Sequence, residues 1–363
     1  MRHKKNISFL LGSINGMGGT GRAVSILTNE LAETLRYNIR IVCYYQIDRT
    51  CGYQLRNHID VEIILPKLMS MRKAFPRVVY YLVKHILKYK VDILVASGSL
   101  YFPAAIIASK LTGCKIICSD HSNYLSVTGF KYERQARNFA AKYCDVLITL
   151  TNRDKENYLK NTRVIAKIDS IPNIMEDRLF IDRGTYKCNS KKIISVGRLT
   201  YAKNYELLID IADLVLKKHS DWSWDIYGNG ELQSKLENKI KDLNIERLNL
   251  MGAVSNIYDV YQDYAFLVLT SRYEGYPMVL LESIAKKVPV VSFDCPTGPS
   301  EIIDHAQTGL LIKENDITAM VEAIDHMILN DSKRIKMSNA CELAIKKFSK
   351  SEIIEKWNSY LDK

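Results

Sequence analysis

The feature that most constrains this chain is a rhythm that stops and restarts. Short apolar runs alternate with helix-length amphipathic stretches. In the first half the strand-like runs fall at 7–11, 39–44, 61–65, 93–96, 115–118 and 146–149, with helical stretches such as 22–35, 78–89 and 134–142 between them. Such alternation builds a parallel sheet covered on both faces, because each parallel crossover needs a helix's worth of chain. A second series follows, with strand-like runs at 193–196, 223–227, 248–251, 265–269 and 288–292 and helices at 205–218, 232–243, 257–261, 277–286 and 317–329. At 363 residues the chain exceeds one ordinary core. The reading is α/β, two doubly wound domains in tandem, 1–173 and 174–345. They join around Ile171-Pro172-Asn173-Ile174 and the polar stretch up to Lys192, where proline resists both helix and central strand. The last segment, 346–363, is expected to hold a helix at 351–361 that packs back toward the N-terminal domain.

Two sheets of this type are expected to leave a cleft between them, and open parallel sheets bind ligands beyond the carboxyl ends of their strands. Loops that follow strands and precede helices are therefore where chemistry belongs. The sharpest of them is Ser271-Arg272-Tyr273-Glu274-Gly275-Tyr276-Pro277-Met278-Val279-Leu280-Leu281-Glu282. Pro277 suits a first helical turn, which leaves Glu274 in the loop and Glu282 about 7.5 Å along the helix axis. Two carboxylates so placed can contact separate parts of an elongated ligand, while the amides opening the helix receive an anion. Read alone, they are equally well a helix-start acid and a surface acid.

A second loop, Val196-Gly197-Arg198-Leu199-Thr200-Tyr201-Ala202-Lys203-Asn204, carries two cations. A planar guanidinium fork and a point-charge ammonium suit a diphosphate. Tyr227-Gly228-Asn229-Gly230 is either a plain turn or a wall of a nucleotide pocket. Gly16-Met17-Gly18-Gly19-Thr20-Gly21-Arg22 stands where a dinucleotide fingerprint would, but Cys43-Tyr44-Tyr45-Gln46 puts no acid at the end of the next strand. Simple NAD binding is disfavoured, and a loop facing phosphate or acceptor stays open. Cys118-Ser119-Asp120-His121-Ser122-Asn123-Tyr124 sets His121 at a strand end, although a lone histidine is more often structural.

Charge and cysteine usage narrow the class. Residues 1–173 hold 26 Lys+Arg against 12 Asp+Glu, a net +14, while the remainder nets −3. One half should therefore face an anionic partner. The segment 67–90 carries seven Lys/Arg and no acid, mixed with Met, Phe and Tyr, and reads as a helix able to lie on an anionic membrane or simply to pack on the sheet. No nucleic-acid motif accompanies it, so no nucleic-acid partner is expected. No apolar run is long enough to span a bilayer. Met1-Arg2-His3-Lys4-Lys5 before Ile7-Ser8-Phe9-Leu10-Leu11 looks a little like a signal peptide, but Gly12 interrupts it, and a buried first strand is the better reading. The eight cysteines form no CxxC pair and read as reduced thiols of a cytosolic protein. Cys118 with His121 is too little for a zinc site, and no metal is expected.

With these loops together, the chain resembles the group 1 (family 4) retaining glycosyltransferases, whose GT-B fold sets two Rossmann-like domains face to face. The resemblance covers nearly the whole chain. Glu274 and Glu282 match the family's Glu-x7-Glu motif, Arg198 and Lys203 its Arg-x4-Lys clamp, and Asp294-Cys295-Pro296-Thr297-Gly298-Pro299-Ser300-Glu301-Ile302-Ile303 with Thr308-Gly309-Leu310-Leu311-Ile312 the stretch that closes its nucleotide pocket. The resemblance implies roles. Glu282 binds ribose hydroxyls. Glu274, with the amides of Gly275 and Tyr276 before Pro277, meets the transferred sugar, and Arg198 and Lys203 neutralise the departing diphosphate. His121 touches the donor sugar, the Gly18-Gly19 loop with Arg22 lies near phosphates and acceptor, and backbone near Ala253-Val254, after Met251-Gly252, meets the base; Gly228 is counted among the donor-binding residues.

The expected activity is retaining, metal-independent transfer of a hexose or N-acetylhexosamine from a nucleotide sugar, UDP-linked, to a lipid-linked or oligosaccharide acceptor. The setting is capsule, O-antigen or lipopolysaccharide-type biosynthesis, at the cytoplasmic face of the cell membrane, with peripheral contact through the basic N-terminal domain. No Asp-x-Asp occurs to hold a metal, no cofactor is expected, and the Arg/Lys pair can supply the charge. Retention rests on the resemblance alone. A sugar-nucleotide epimerase of the same shape and a catalytically inactive polysaccharide-assembly scaffold are the alternatives.

Overall fold

A computed structural model describes residues 4–15, 18–46, 51–126, 131–181, 184–254 and 256–363. The chain divides into two compact units, Met1–Ile174 with Lys350–Lys363, and Met175–Ser349.

The first unit is built on β1 (Lys5–Leu11), β2 (Tyr37–Tyr45), β3 (Asp60–Leu65), β4 (Ile93–Ser97), β5 (Lys115–Ser119), β6 (Val146–Thr149) and β7 (Lys167–Ser170). Its helices are α1 (Gly19–Glu33), α2 (Met71–Tyr89), α3 (Phe102–Thr112), α4 (Lys131–Tyr143) and α5 (Asn152–Asn161). The strands are parallel, in the order β3-β2-β1-β4-β5-β6-β7. Central strands such as Ile93–Ser97 are buried residue by residue, as a sheet covered on both faces requires. Leu10, Leu94, Leu82 and Phe102 fill one face, and Phe9, Ile41, Leu31 and Trp357 the other.

The second unit repeats the plan with β8 (Lys192–Val196), β9 (Ser223–Tyr227), β10 (Leu248–Gly252), β11 (Phe266–Leu269), β12 (Val290–Asp294) and β13 (Gly309–Lys313). Its helices are α6 (Arg178–Ile181), α7 (Tyr205–Lys218), α8 (Gln233–Asp242), α9 (Met278–Ala285), α10 (Pro299–Ile302), α11 (Ile317–Leu329) and α12 (Asp331–Ala344). Strand order is β10-β9-β8-β11-β12-β13, all parallel. This is the doubly wound order whose direction reverses between the first and fourth strands, here β8 and β11.

The chain ends in α13 (Lys350–Leu361), which belongs to the first unit. Its exposed carbonyl end is met by cations. Lys5 Nζ donates to Asp362 O at 2.7 Å, and Lys115 Nζ to Tyr360 O at 2.6 Å. A helix C-terminus carries partial negative charge, so these lysines at the starts of β1 and β5 hold it in place.

Several expected elements shift. The strand expected at 288–292 begins at Val290, because Pro289 cannot donate to the ladder. The helix expected at 257–261 is a pair of 3₁₀ turns, Ile257–Asp259 and Tyr261–Asp263. The helix expected from 78 starts at Met71, with Pro76 inside it, and the helix expected from Pro277 starts at Met278. Strands β7 and β13 and helices α5, α6, α10 and α12 were not anticipated. Among the described residues all eight cysteines are free, with Cys51 exposed and Cys118 buried.

Candidate functional site

In the second unit the loops after β8 and β11 meet because those strands are neighbours, paired through Phe266 with Ile193 and Leu267 with Ile194. Backbone stitches the loops together. Arg272 N–H donates to Ala202 O at 2.8 Å, and Thr270 Oγ1 to Lys203 O at 3.2 Å. Lys203 closes the 3₁₀ turn Tyr201–Lys203, and Asn204, in the left-handed conformation, opens α7. This geometry sets Lys203 Nζ 2.6 Å from Glu274 Oε1. The two side chains keep only 18% and 11% of their surface, so the ion pair sits in a largely dry recess. Ser271 Oγ donates to the same oxygen at 2.6 Å. Thr297 Oγ1 donates to the Glu274 carbonyl, which ties the stretch after β12 into the loop.

Arg198, five residues before Lys203, is exposed. Its loop is clamped by the turn after β9: Gly197 N–H donates to Tyr227 O, and Leu199 N–H to Asn229 O, both at 2.9 Å. Gly228 permits that approach. It has φ +139°, and a Cβ there would lie 2.0 Å from Gly197 O. The Gly228 turn therefore serves to hold the Arg198 loop. Gly298, with φ +102°, has a parallel duty at the start of α10, where a Cβ would meet Pro277 Cδ at 2.4 Å.

Glu282 is the fifth residue of α9 and only 1% exposed, with Tyr261 donating to its Oε2 at 2.9 Å. Tyr276 is buried, and burial, with Glu301 nearby, pushes its hydroxyl well above the usual phenol range, so it stays protonated. Pro277 is buried and caps α9, and Gly275 is half-buried beside Glu274. Val254 follows β10, where the amide of Ala253 is already taken by Asn229 Oδ1 at 3.0 Å. Behind the wall, Tyr264 OH donates to Asp225 Oδ2 at 2.7 Å and meets Tyr227 OH at 3.0 Å, a buried polar chain bracing β9.

In the first unit, Gly18 caps α1 and Gly19 begins it. A Cβ at either glycine would meet nothing within 4 Å, so protein packing does not require glycine there. The Gly18 carbonyl takes Arg22 N–H at 3.1 Å and Tyr53 OH at 2.9 Å. Gly16 and Met17 of this loop lie outside the described residues. His121 lines a small cavity with Ala23 of α1, Ser119, Asn173 and Trp357. Its Nδ1 is buried without a hydrogen-bond partner, and Ser119 Oγ is a distant 3.4 Å from Nε2. Burial pulls the imidazole down to about 4 against an upward pull from Asp120, so His121 is neutral at physiological pH.

The residues holding His121's loop were not singled out from sequence. Asp120 is fully buried and accepts from Arg137 Nε and Tyr158 OH, both at 2.7 Å, and from the Ser122 amide at 3.1 Å. Burial raises this carboxyl, but Arg137 and the other donors bring it below the usual range. Asp154 accepts from the Tyr124 amide at 2.7 Å, and burial beside Asp120 pushes its carboxyl up to about 7. Asp120 stands next to His121 in a quoted motif, but its partners come 17 and 38 residues later, with no spacing signal.

Helix α2 resolves the basic segment. Met71, Ala74, Val78, Leu82, His85 and Ile86 face inward. Arg72, Lys73, Arg77, Lys84 and Lys88 are exposed, with Tyr80 (64%) and Leu87 (63%) among them. The helix is pinned by His85, between Ser8 Oγ at 2.9 Å and Glu62 Oε2 at 2.8 Å. That resembles a nucleophile–base–acid chain, but Ser8 and His85 are 1% and 3% exposed, so no substrate reaches it.

Comparisons with known proteins bear on the family and the fold. Residues 180–343 match the family described as glycosyl transferases group 1, and residues 17–177 match glycosyltransferase family 4. The amylovoran biosynthesis glycosyltransferase AmsD of Erwinia amylovora is 28% identical over 97% of this chain and 98% of its own. An α-1,4-N-acetyl-D-galactosaminyltransferase of Campylobacter jejuni, named for a diNAcBac-PP-undecaprenol-linked saccharide, is 27% identical over 97% and 96%. Staphylococcus aureus TarM, solved as a variant with fondaparinux, α-GlcNAc-glycerol and UDP, superimposes with a TM-score of 0.85 at 18% identity, covering 98% of this chain and 99% of that one. The chain is a glycosyltransferase with the GT-B fold, and it belongs to the group 1, family 4 glycosyltransferases.

Proposed function

We propose that this glycosyltransferase moves a hexose or N-acetylhexosamine from UDP to a lipid-linked saccharide, in the synthesis of a bacterial surface polysaccharide. The observation that carries the reading is the Lys203–Glu274 pair at the reversal of strand order, with Arg198 exposed on the same loop. Sugar transfer breaks a bond to a diphosphate and passes through an oxocarbenium-like state. Arg198 and Lys203 supply positive charge for the leaving group, so no metal is called for. Glu274, with the Gly275 and Tyr276 amides, supplies negative and dipolar groups for the sugar. Glu282 takes the ribose hydroxyls once the Tyr261 bond and the side chains covering it give way, and backbone near Val254 takes the base. The UDP in TarM and the undecaprenol-linked saccharide in the name of the Campylobacter relative support the donor and the acceptor class.

The transfer is read as retaining, with the acceptor attacking on the face from which UDP departs. The first unit is assigned the acceptor and the membrane. The open start of α1 at Gly18 and Gly19, with Arg22, offers backbone donors to phosphate. The outward row of α2 offers cations and exposed Tyr80 and Leu87 to an anionic bilayer at the cytoplasmic face of the membrane. No helix among the described residues is long and apolar enough to cross a membrane.

A thermal-shift panel of UDP- and GDP-sugars tests the donor, and product NMR the anomeric outcome. Unchanged activity in EDTA is expected. Full activity of both Glu274→Gln and Arg198→Ala would overturn the site. Flotation with phosphatidylglycerol vesicles at low salt is expected to carry the protein up, and Arg77→Glu/Lys84→Glu to weaken this about tenfold or more.

A further inference from the structure

We propose that Ser271 is a positioning residue for Glu274, holding the carboxylate in place when Lys203 turns to the donor's diphosphate. The inference rests on the reading that Glu274 serves the sugar and Lys203 the diphosphate. Both donors converge on Glu274 Oε1 at 2.6 Å, but they are of different kinds. Lys203 reaches it along a flexible four-carbon stem ending in a point charge, which can exchange one anion for another. Ser271 has one rotatable bond before its hydroxyl, and its backbone is anchored on both sides. Its neighbour Thr270 bonds Lys203 O, and its neighbour Arg272 bonds Ala202 O. Ser271 is 2% exposed, so bulk water does not compete for its hydroxyl.

In the free protein Lys203 neutralises a carboxylate that retains little water. A diphosphate carries more negative charge than Glu274 and draws the ammonium toward itself. The carboxylate would then lose a strong partner in a dry site, at a cost that favours its swinging away. A hydroxyl fixed 2.6 Å away opposes that swing, and Thr297 holds the same residue's carbonyl. Ser271 thus converts a salt bridge of the resting site into a carboxylate set for the sugar.

The test separates binding of UDP alone, by calorimetry, from turnover. Turnover is UDP release from the UDP-sugar giving the largest thermal shift, with the lipid fraction of the source cells as acceptor. Ser271→Ala is expected to lower kcat about ten- to a hundredfold, the range for a hydrogen bond to a charged group. The Kd for UDP should stay within about twofold, and Ser271→Thr, which restores the hydroxyl, should recover most of kcat. Wild-type kcat in Ser271→Ala overturns the inference. So does loss of UDP affinity in step with kcat, or a folded Ser271→Thr that recovers nothing. Glu274→Gln is the control. If it is inactive while Ser271→Ala is fully active, only the inference falls; if it is fully active, the proposed function falls as well.

Discussion

Each unit contains an ion pair of nearly the same length at the carboxyl end of its sheet. Asp120–Arg137 in the first spans 2.7 Å, and Lys203–Glu274 in the second spans 2.6 Å. They differ in access. Both members of the first are 1% exposed, while Lys203 and Glu274 keep 18% and 11%. In the sealed pair Asp120 is committed to Arg137, Tyr158 and Ser122, and Arg137 also faces Glu133 at 3.6 Å, an arrangement that holds a loop. The reachable pair keeps an opening through which another anion can compete for the lysine. Ion-pair length therefore does not distinguish the two, and residual exposure does.

Breaking the sealed pair should cost the most. Arg137→Met leaves Asp120 charged and buried, with an expected loss of about 3–5 kcal/mol. That corresponds to a drop of roughly 10 °C in Tm for a unit of this size. Calorimetry checks it, and a Tm within 2–3 °C of wild type would show that the pair is not as sealed as its burial indicates. The reachable pair should respond in rate instead. Glu274→Gln is expected to lower kcat/KM about 10²–10³-fold, the scale for one preorganised polar group, with Tm nearly unchanged. Lys203→Met should fall between, losing UDP affinity and some stability because Glu274 is left with fewer donors. Adding Glu274→Gln to it should restore stability though not activity. A double variant as unstable as the sum of the singles would mean the two side chains do not couple in solution.

The contrast also explains what was legible. Arg198, Lys203, Glu274 and Glu282 stand out because side chains of distinctive chemistry follow strong apolar strands. That Lys203 and Glu274 touch is another matter. It depends on β8 lying beside β11, which brings together side chains 71 residues apart, and no spacing rule reveals that. The Asp120 cluster shows the same limit, since a buried Asp, Arg and Tyr on three elements look like ordinary surface residues when read in line. Strand β7, Lys167-Ile168-Asp169-Ser170, escaped notice because an edge strand need not be apolar. The glycines divide on similar grounds. Gly228 is explained by a backbone passing against it, whereas Gly18 and Gly19 have open space around them, so packing does not account for them.

The smallest expected effect concerns pH, and here the first unit works against itself. His121, pulled by burial from 6.5 to about 4, favours the folded state above pH 6.5 and loses that contribution as pH falls toward 4. Asp154, pushed by burial from 3.8 to about 7, has the opposite sign. The folded state binds its proton more tightly, so its contribution is full below 3.8 and is lost as pH rises through 7. Between pH 4 and 6.5 the two slopes oppose each other, and Tm of the wild type should be comparatively flat. Asp154→Asn keeps an acceptor for the Tyr124 amide while removing one slope. Its Tm should therefore fall more steeply than wild type on acidification from pH 6.5 to 4.5, by a few degrees on the scale of a 1 kcal/mol change. His121→Asn should do the reverse and fall as pH rises. Parallel curves for all three proteins would mean that neither group is as buried in solution as the fold implies.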